Sequence, residues 1–184
     1  MDSGEVTTLL RAWGAGDLSA ADPLFSRVYD ELRSLAQYHS RSHSGATVTP
    51  TALVNEAFLE LVGDPKADWR DRAQFFAVTA VVMRRLMIAY ARSRGADKRG
   101  GGVEPIAFDE SIHALGASGV DAEDLDAALT ALEQIDAAQA KIVELRFFGG
   151  LTVEETAEYL GISPRSVNRQ WGMAKAWLAD YLQT

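Results

Sequence analysis

The chain has 184 residues, of which 47% are hydrophobic, and this suffices for the core of one ordinary domain or two small ones. It has no cysteine, which excludes a disulfide framework and a thiolate zinc site. Its most apolar stretch, residues 75–91, contains Arg84 and Arg85, which make a membrane span costly. We therefore expect a cytoplasmic protein without a membrane segment.

The net charge of −8 argues against a nucleic-acid partner, but the charge is unevenly distributed. Residues 84–99 hold six basic side chains and one acid, whereas residues 104–136 hold nine acids and no lysine or arginine. Such segregation predicts surfaces with separate electrostatic tasks, and the basic run is the part suited to phosphate.

Apolar residues recur at steps of three and four residues through most of the sequence, which predicts an all-helical fold. Thr49 is a good N-cap, and Pro50 suits the first helical position because its missing N–H costs nothing there. A glycine-rich and then acidic segment follows the fourth helix and predicts a flexible linker. The predicted helices cover residues 6–14, 19 or 22 to 40, 50–62 and 71–94.

The C-terminal part is predicted to form helices over residues 125–134, 136–147, 152–160 and 164–182, and its last two helices have the form of a helix-turn-helix. Thr152 and Glu155 form a capping box, Gly161 permits a left-handed turn, and Ser163 caps a helix that begins with Pro164. The predicted organisation is two small helical domains, residues 1–97 and 123–184, joined by a flexible acidic linker at residues 98–122.

The start of the last helix is predicted to enter a DNA major groove. There arginine can pair with guanine and asparagine with adenine. Three basic residues and no acid lie between residues 164 and 175, in a chain that is acidic overall. The predicted DNA-binding side chains of this helix are Arg165, Ser166, Asn168, Arg169 and Lys175.

Three stretches together resemble the extracytoplasmic-function (ECF) group of bacterial sigma factors. TALVNEAFLELV (51–62) resembles the family's helix that binds core RNA polymerase, and FFAVTAVVMRRLMIAYARSRGADKRGGG (75–102) resembles its promoter-reading and melting helix. LRFFGGLTVEETAEYLGISPRSVNRQWGMAKAWL (145–178) is similar to its reader of the upstream promoter element. The resemblance implies a non-enzymatic initiation factor with core RNA polymerase and promoter DNA as partners, and an acidic linker that threads into the polymerase.

The resemblance also implies roles for individual residues. The face of the helix at residues 50–62 that would meet polymerase carries Ala52, Asn55, Glu56 and Leu59, where an exposed leucine among polar groups suits a partner surface. On the long helix, the basic side chains expected to contact promoter DNA are Arg84, Arg85, Arg92, Arg94, Lys98 and Arg99.

The sequence departs from the family where the polymerase-binding helix begins. The family generally has an acidic cluster there, whereas this chain reads Thr-Pro-Thr-Ala at residues 49–52. The family also commonly has Asn and Asp at the positions of Arg85 and Ala89, so its base preference does not carry over. We predict that Thr51 is phosphorylated by a Ser/Thr kinase, with Thr49 as the weaker candidate, because a phosphate in the first helical turn would replace the missing carboxylates.

Other functions have weaker support. His39 and His43 are four residues apart but lack further metal ligands, and the glycine run at residues 100–102 lacks the Lys-Ser/Thr of a phosphate-binding loop. No catalytic constellation is apparent, so neither an enzyme, a metal nor a cofactor is expected. The alternative is a helix-turn-helix repressor or activator that acts without being a polymerase subunit, since this motif alone fits both.

Overall fold

The computed structural model describes residues 3–40, 49–62, 69–97 and 122–183, and these residues form an all-α fold without strands. A short 3-10 turn at Leu18–Ala20 precedes the second helix, and a wide turn at Glu144–Phe148 follows the sixth. In chain order the helices are α1 (Ser3–Gly14), α2 (Ala21–Ser40), α3 (Pro50–Val62), α4 (Arg72–Asp97), α5 (Ala122–Ile135), α6 (Ala137–Val143), α7 (Val153–Leu160) and α8 (Pro164–Tyr181).

Helices α1 to α4 share one hydrophobic core, which we name the N-terminal cluster. On α2, the fully buried Leu24, Val28 and Leu32 follow the four-residue spacing that places side chains on one helical face. Aromatic rings fill the rest of the core: Trp13 stacks on Trp69 with ring centroids 5.8 Å apart. This packing surrounds α4 and fixes its position.

Helices α5 to α8 form a second core, the C-terminal cluster. The sequence predicted one helix over residues 136–147, but α6 ends at Val143 and the chain continues in a wide turn. There the N–H of Gly149 donates to the carbonyl of Glu144, a span of five residues. The wide turn lets Phe147 and Phe148 both point inward, edge to face with centroids 4.8 Å apart.

The two clusters are in contact through α4. Ala80 of α4 belongs to the C-terminal cluster, whereas Leu145 and Leu151 belong to the N-terminal cluster. A Cβ atom added to Gly149 would lie 3.0 Å from the Cβ of Ala80, so the backbone at Gly149 lies directly against α4. The predicted linker, residues 98–122, lies outside the described residues except at its end, where α5 begins.

Helix α4 is long, and part of it is strongly apolar. By length and mean hydropathy, 1.3, its segment Arg72–Tyr90 meets the criteria for a membrane span. Core packing accounts for that apolar character, because Phe75, Phe76 and Met83 are buried in the N-terminal cluster. The long helix thus reaches from the centre of one cluster to the edge of the other.

Candidate nucleic-acid interface

Helix α7 begins with a complete capping box. The Glu155 N–H donates to the Thr152 hydroxyl at 3.1 Å, and the Thr152 N–H donates to the Glu155 carboxylate at 2.9 Å. These reciprocal bonds satisfy two N–H groups that otherwise have no partner at a helix start. The capping residues Thr152 and Glu155 therefore determine where α7 begins.

The turn between α7 and α8 depends on Gly161, whose φ of 66° and ψ of 31° are left-handed. The N–H of Ile162 donates across the turn to the carbonyl of Ala157 at 3.0 Å, which closes the end of α7. Ala157 itself is buried, and its small side chain permits close approach of α8. The left-handed glycine and the two capped helices that the sequence predicted for this segment are present.

Helix α8 presents a basic and polar edge at its start. Ser163 caps it by accepting the N–H of Ser166 at 3.1 Å, and Pro164 is its first residue. Val167 is fully buried and anchors the helix, which leaves the opposite side free. Three of the predicted DNA-binding side chains are exposed on that side: Arg165, Asn168 and Arg169. Ser166 is half-buried, and its hydroxyl is hydrogen-bonded to that of Ser163.

Lys175 does not belong to this edge. It lies about 15 Å further along the helix axis than Arg165, from the rise of 1.5 Å per residue. Its ammonium lies 5.6 Å from the ring centroid of Trp171, and the guanidinium of Arg146 lies 4.7 Å from the same centroid. Lys175 and Arg146 therefore lie against the same tryptophan ring, and Arg146 was not among the predicted DNA-binding residues.

The basic side chains of α4 differ in their surroundings. Arg85 is ion-paired with Glu60 of α3, and its side chain remains on the surface, 62% exposed. Arg84 is only 17% exposed, and its Nε and Nη2 donate to Asp126 of α5 at 3.2 and 2.7 Å. Of these two predicted DNA-binding side chains, Arg85 is therefore accessible in this structure, whereas Arg84 is mostly covered by its pairing with α5.

Arg92 and the neighbouring cations complete this region. The Nη2 of Arg92 lies 3.5 Å from the second oxygen of Asp126, and its side chain is 63% exposed. The side chain of Arg94 and the whole of Lys98 and Arg99 lie outside the described structure. Asp126 is one of the nine acids of residues 104–136, and its place in the sequence does not indicate that it faces the basic helix.

The predicted polymerase-binding face of α3 is exposed at every residue named for it: Ala52, Asn55, Glu56 and Leu59. The Leu59 side chain is 70% exposed, a high value for a large apolar residue. Glu56 accepts a hydrogen bond from the Tyr90 hydroxyl, and Glu60 pairs with Arg85, so α4 engages both carboxylates of α3. The hydrogen bond from the neutral tyrosine hydroxyl does not cancel the charge of the Glu56 carboxylate, whereas the charge of Glu60 is paired with a cation.

The start of α3 has the geometry that the sequence predicted. The N–H of Ala52 donates to the Thr49 hydroxyl at 3.2 Å, and the N–H of Leu53 donates to the Thr49 carbonyl at 3.1 Å. Pro50 is the first helical residue, and Thr51, the predicted phosphorylation site, is exposed in the first turn.

A second carboxylate pair lies where α4 begins. Arg72 is ion-paired with both Glu31 of α2 and Glu155 of α7. Burial raises the pKa of the Glu31 carboxyl, and the nearby charge of Glu155 raises it further, although the Arg72 guanidinium opposes the shift. Among the described residues no group of three or more metal-ligating side chains is present.

A protein-family model described as ECF sigma factor matches residues 3–184, which is nearly the whole chain. No curated protein and no solved structure matches significantly. The match includes α3, α4 and the helix-turn-helix.

Proposed function

Because the chain belongs to the ECF sigma factor family, we propose that it binds core RNA polymerase, recognises promoters and directs transcription initiation, with α8 reading the upstream element. The observation that carries this proposal is the start of α8. Arg165, Asn168 and Arg169 are exposed there on a helix whose angle is fixed by a capped turn. Bidentate pairing from arginine to guanine, or from asparagine to adenine, requires such side chains on a rigid support.

In this proposal the basic part of α4 contacts and melts the downstream element. Arg85 and Arg92 are mostly exposed and lie on one side of the helix, with the small Ala89 between them. Phosphate contacts from such arginines supply affinity, while the small residue leaves room for a strand. The functional units would be residues 1–97 and 123–184, joined by the acidic linker at residues 98–122, and the site of action the cytoplasm.

The polymerase contact would be made by the exposed face of α3. Leu59 supplies the apolar part of that surface, and Asn55 lies one turn before it. The charge of Glu60 is already paired with Arg85, so Glu56 is the remaining carboxylate of α3 that can attract a basic partner. Phosphorylation of Thr51 by a Ser/Thr kinase would add about −1.5 to −2 charges at the N-terminal end of α3, where the helix dipole stabilises an anion.

Reconstituted transcription tests the main proposal. Purified protein is added to core RNA polymerase and fragmented genomic DNA, and run-off transcripts are sequenced. Discrete start sites that depend on the protein are expected. A protein that binds a duplex operator as a dimer, yet neither co-purifies with core enzyme nor starts transcription in any phosphorylation state, would instead be a helix-turn-helix repressor or activator.

The phosphorylation step has its own experiment. Affinity for core polymerase is measured for wild type before and after kinase treatment, and for Thr51→Ala and Thr51→Glu. Kinase treatment should strengthen binding of wild type but not of Thr51→Ala. Thr49→Ala is the matched control: it loses a helix cap worth about 1 kcal/mol but should still respond to the kinase. Equal affinity of modified and unmodified wild type would exclude the switch.

A further inference from the structure

The C-terminal helices cover one face of α4. Ala80 is fully buried among residues of the C-terminal cluster, and Gly149 lies against it with no space for a side chain between them. Leu145 and Leu151 are buried in return against the N-terminal cluster. Close packing of this kind indicates a defined contact between the two clusters rather than a loose encounter.

Charged pairs lie on both sides of this apolar contact along α4. Before Ala80, Arg72 joins Glu155 of α7. After it, Arg84 donates two hydrogen bonds to Asp126 of α5, and its Nη1 lies 3.7 Å from Glu144 of the wide turn. These pairs are half-buried, so they are screened less by salt than pairs on an open surface.

Asp126 pairs with guanidinium N–H groups of Arg84 and Arg92, which a nucleic acid would need as hydrogen-bond donors. Its Oδ1 accepts from the Nε and Nη2 of Arg84, and its Oδ2 lies 3.5 Å from the Nη2 of Arg92. Arginine uses the same donors for phosphate and for carboxylate. One carboxylate on α5 thus stands where a DNA phosphate would lie between two cations of α4.

We propose that the described arrangement is an autoinhibited state, in which Asp126 holds Arg84 and Arg92 away from DNA. The proposal rests on the role of α4 in promoter binding. DNA and Asp126 cannot use the same donors at once, so the free protein binds DNA only in the fraction of molecules in which α5 has moved away. A polymerase surface that separates the two clusters would release both arginines together.

A charge reversal at Asp126 tests this inference, with Asp124 as the control. Asp126→Lys places a cation beside Arg84 and Arg92 and should separate the clusters. Asp124→Lys makes the same change in net charge two residues away, on an exposed side chain in the first turn of the same helix. The control is at least as demanding on α5, because an acid in the first turn favours the helix dipole.

Two measurements are made on the full chain. Anisotropy of a fluorescent single-stranded DNA at fixed low salt gives the affinity, and small-angle scattering gives the radius of gyration. Asp126→Lys should bind DNA more tightly than Asp124→Lys by about fivefold or more, the lower end of typical couplings between two sites. It should also have the larger radius. Equal affinity and equal radius in the two variants would overturn the proposal.

If Asp126→Lys loses helical circular dichroism, Asp126→Ala is compared with Asp124→Ala instead. Asp126→Ala should then bind DNA more tightly and have the larger radius of gyration, and equal affinity and equal radius would again contradict autoinhibition. Run-off transcription with core polymerase separates this question from the sigma-factor assignment. If phosphorylated wild type and Asp126→Lys both fail to start transcription, the proposed function fails. The scattering comparison still decides whether Asp126 keeps the clusters together.

Discussion

Replacing glycine by alanine at two positions of the helix-turn-helix should change stability in opposite directions. Gly161 has a left-handed backbone, and Gly172 lies inside α8. A Cβ atom at either position meets no heavy atom within 4 Å, so neither substitution causes a clash. Only backbone preference remains, and it has opposite signs at the two residues.

The magnitudes follow from that preference. A left-handed conformation costs a residue with a Cβ about 1–2 kcal/mol, offset in part by the smaller entropy of the unfolded chain, so Gly161→Ala should lose about 1 kcal/mol. Gly172→Ala should gain about 0.5–1 kcal/mol, the usual advantage of alanine inside a helix. For a chain of this size each kcal/mol corresponds to about 2–4 °C in Tm.

Thermal unfolding followed by circular dichroism is the assay, with urea unfolding to confirm that the m-value is unchanged. Gly161→Asn is a useful third variant, because asparagine tolerates the left-handed region better than alanine and should recover part of the loss. Shifts of the same sign for Gly161→Ala and Gly172→Ala would refute the reasoning. Two gains would mean that the turn does not require a left-handed residue, and two losses that alanine is not favoured over glycine inside α8.

Three further results are expected. Arg165→Ala and Arg169→Ala should each weaken recognition of the upstream element by about 1–3 kcal/mol if the lost contact is bidentate, measured by transcription from promoter variants; unchanged promoter selection would exclude this helix as the reader. Arg85→Glu combined with Arg92→Glu should abolish permanganate-detected melting while helical content is retained, and full melting would show that this face is not used. Since the pKa of Glu31 is raised from its ordinary value of 4.5, the stability of wild type relative to Glu31→Gln should fall as pH rises from 4.5 through the raised pKa, because the folded protein binds the proton more tightly there. Urea midpoints across that range measure the difference, and an opposite trend would contradict it.

The parts of the fold that depend on local signals could be predicted from the sequence. The start of α3 at Pro50, the capping box at Thr152 and the turn at Gly161 all lie where predicted, because each is decided by residues within one helical turn. The wide turn after Val143 was not predicted, since a single added residue in a helical turn barely alters the periodicity of apolar side chains.

The contact between the two clusters could not be predicted for a different reason. Arg84 and Asp126 are 42 positions apart, with the glycine-rich segment between them, and their pairing depends on how whole helices pack. The segregation of the basic residues 84–99 from the acidic residues 104–136 predicted surfaces with separate electrostatic tasks. It gave no sign that the acidic segment would supply Asp126 to the basic helix.

The carboxylate of Glu155 has a consequence for how the structure assembles. One oxygen accepts the N–H of Thr152, and the other pairs with Arg72 across the contact between the clusters. The cap is local, so it can form within α7 before the clusters meet. A glutamate loses up to about 2 kcal/mol of side-chain entropy when it is ordered, and here the cap has already ordered it. The second oxygen is therefore already positioned when α7 meets α4, so pairing with Arg72 costs the glutamate little further side-chain entropy.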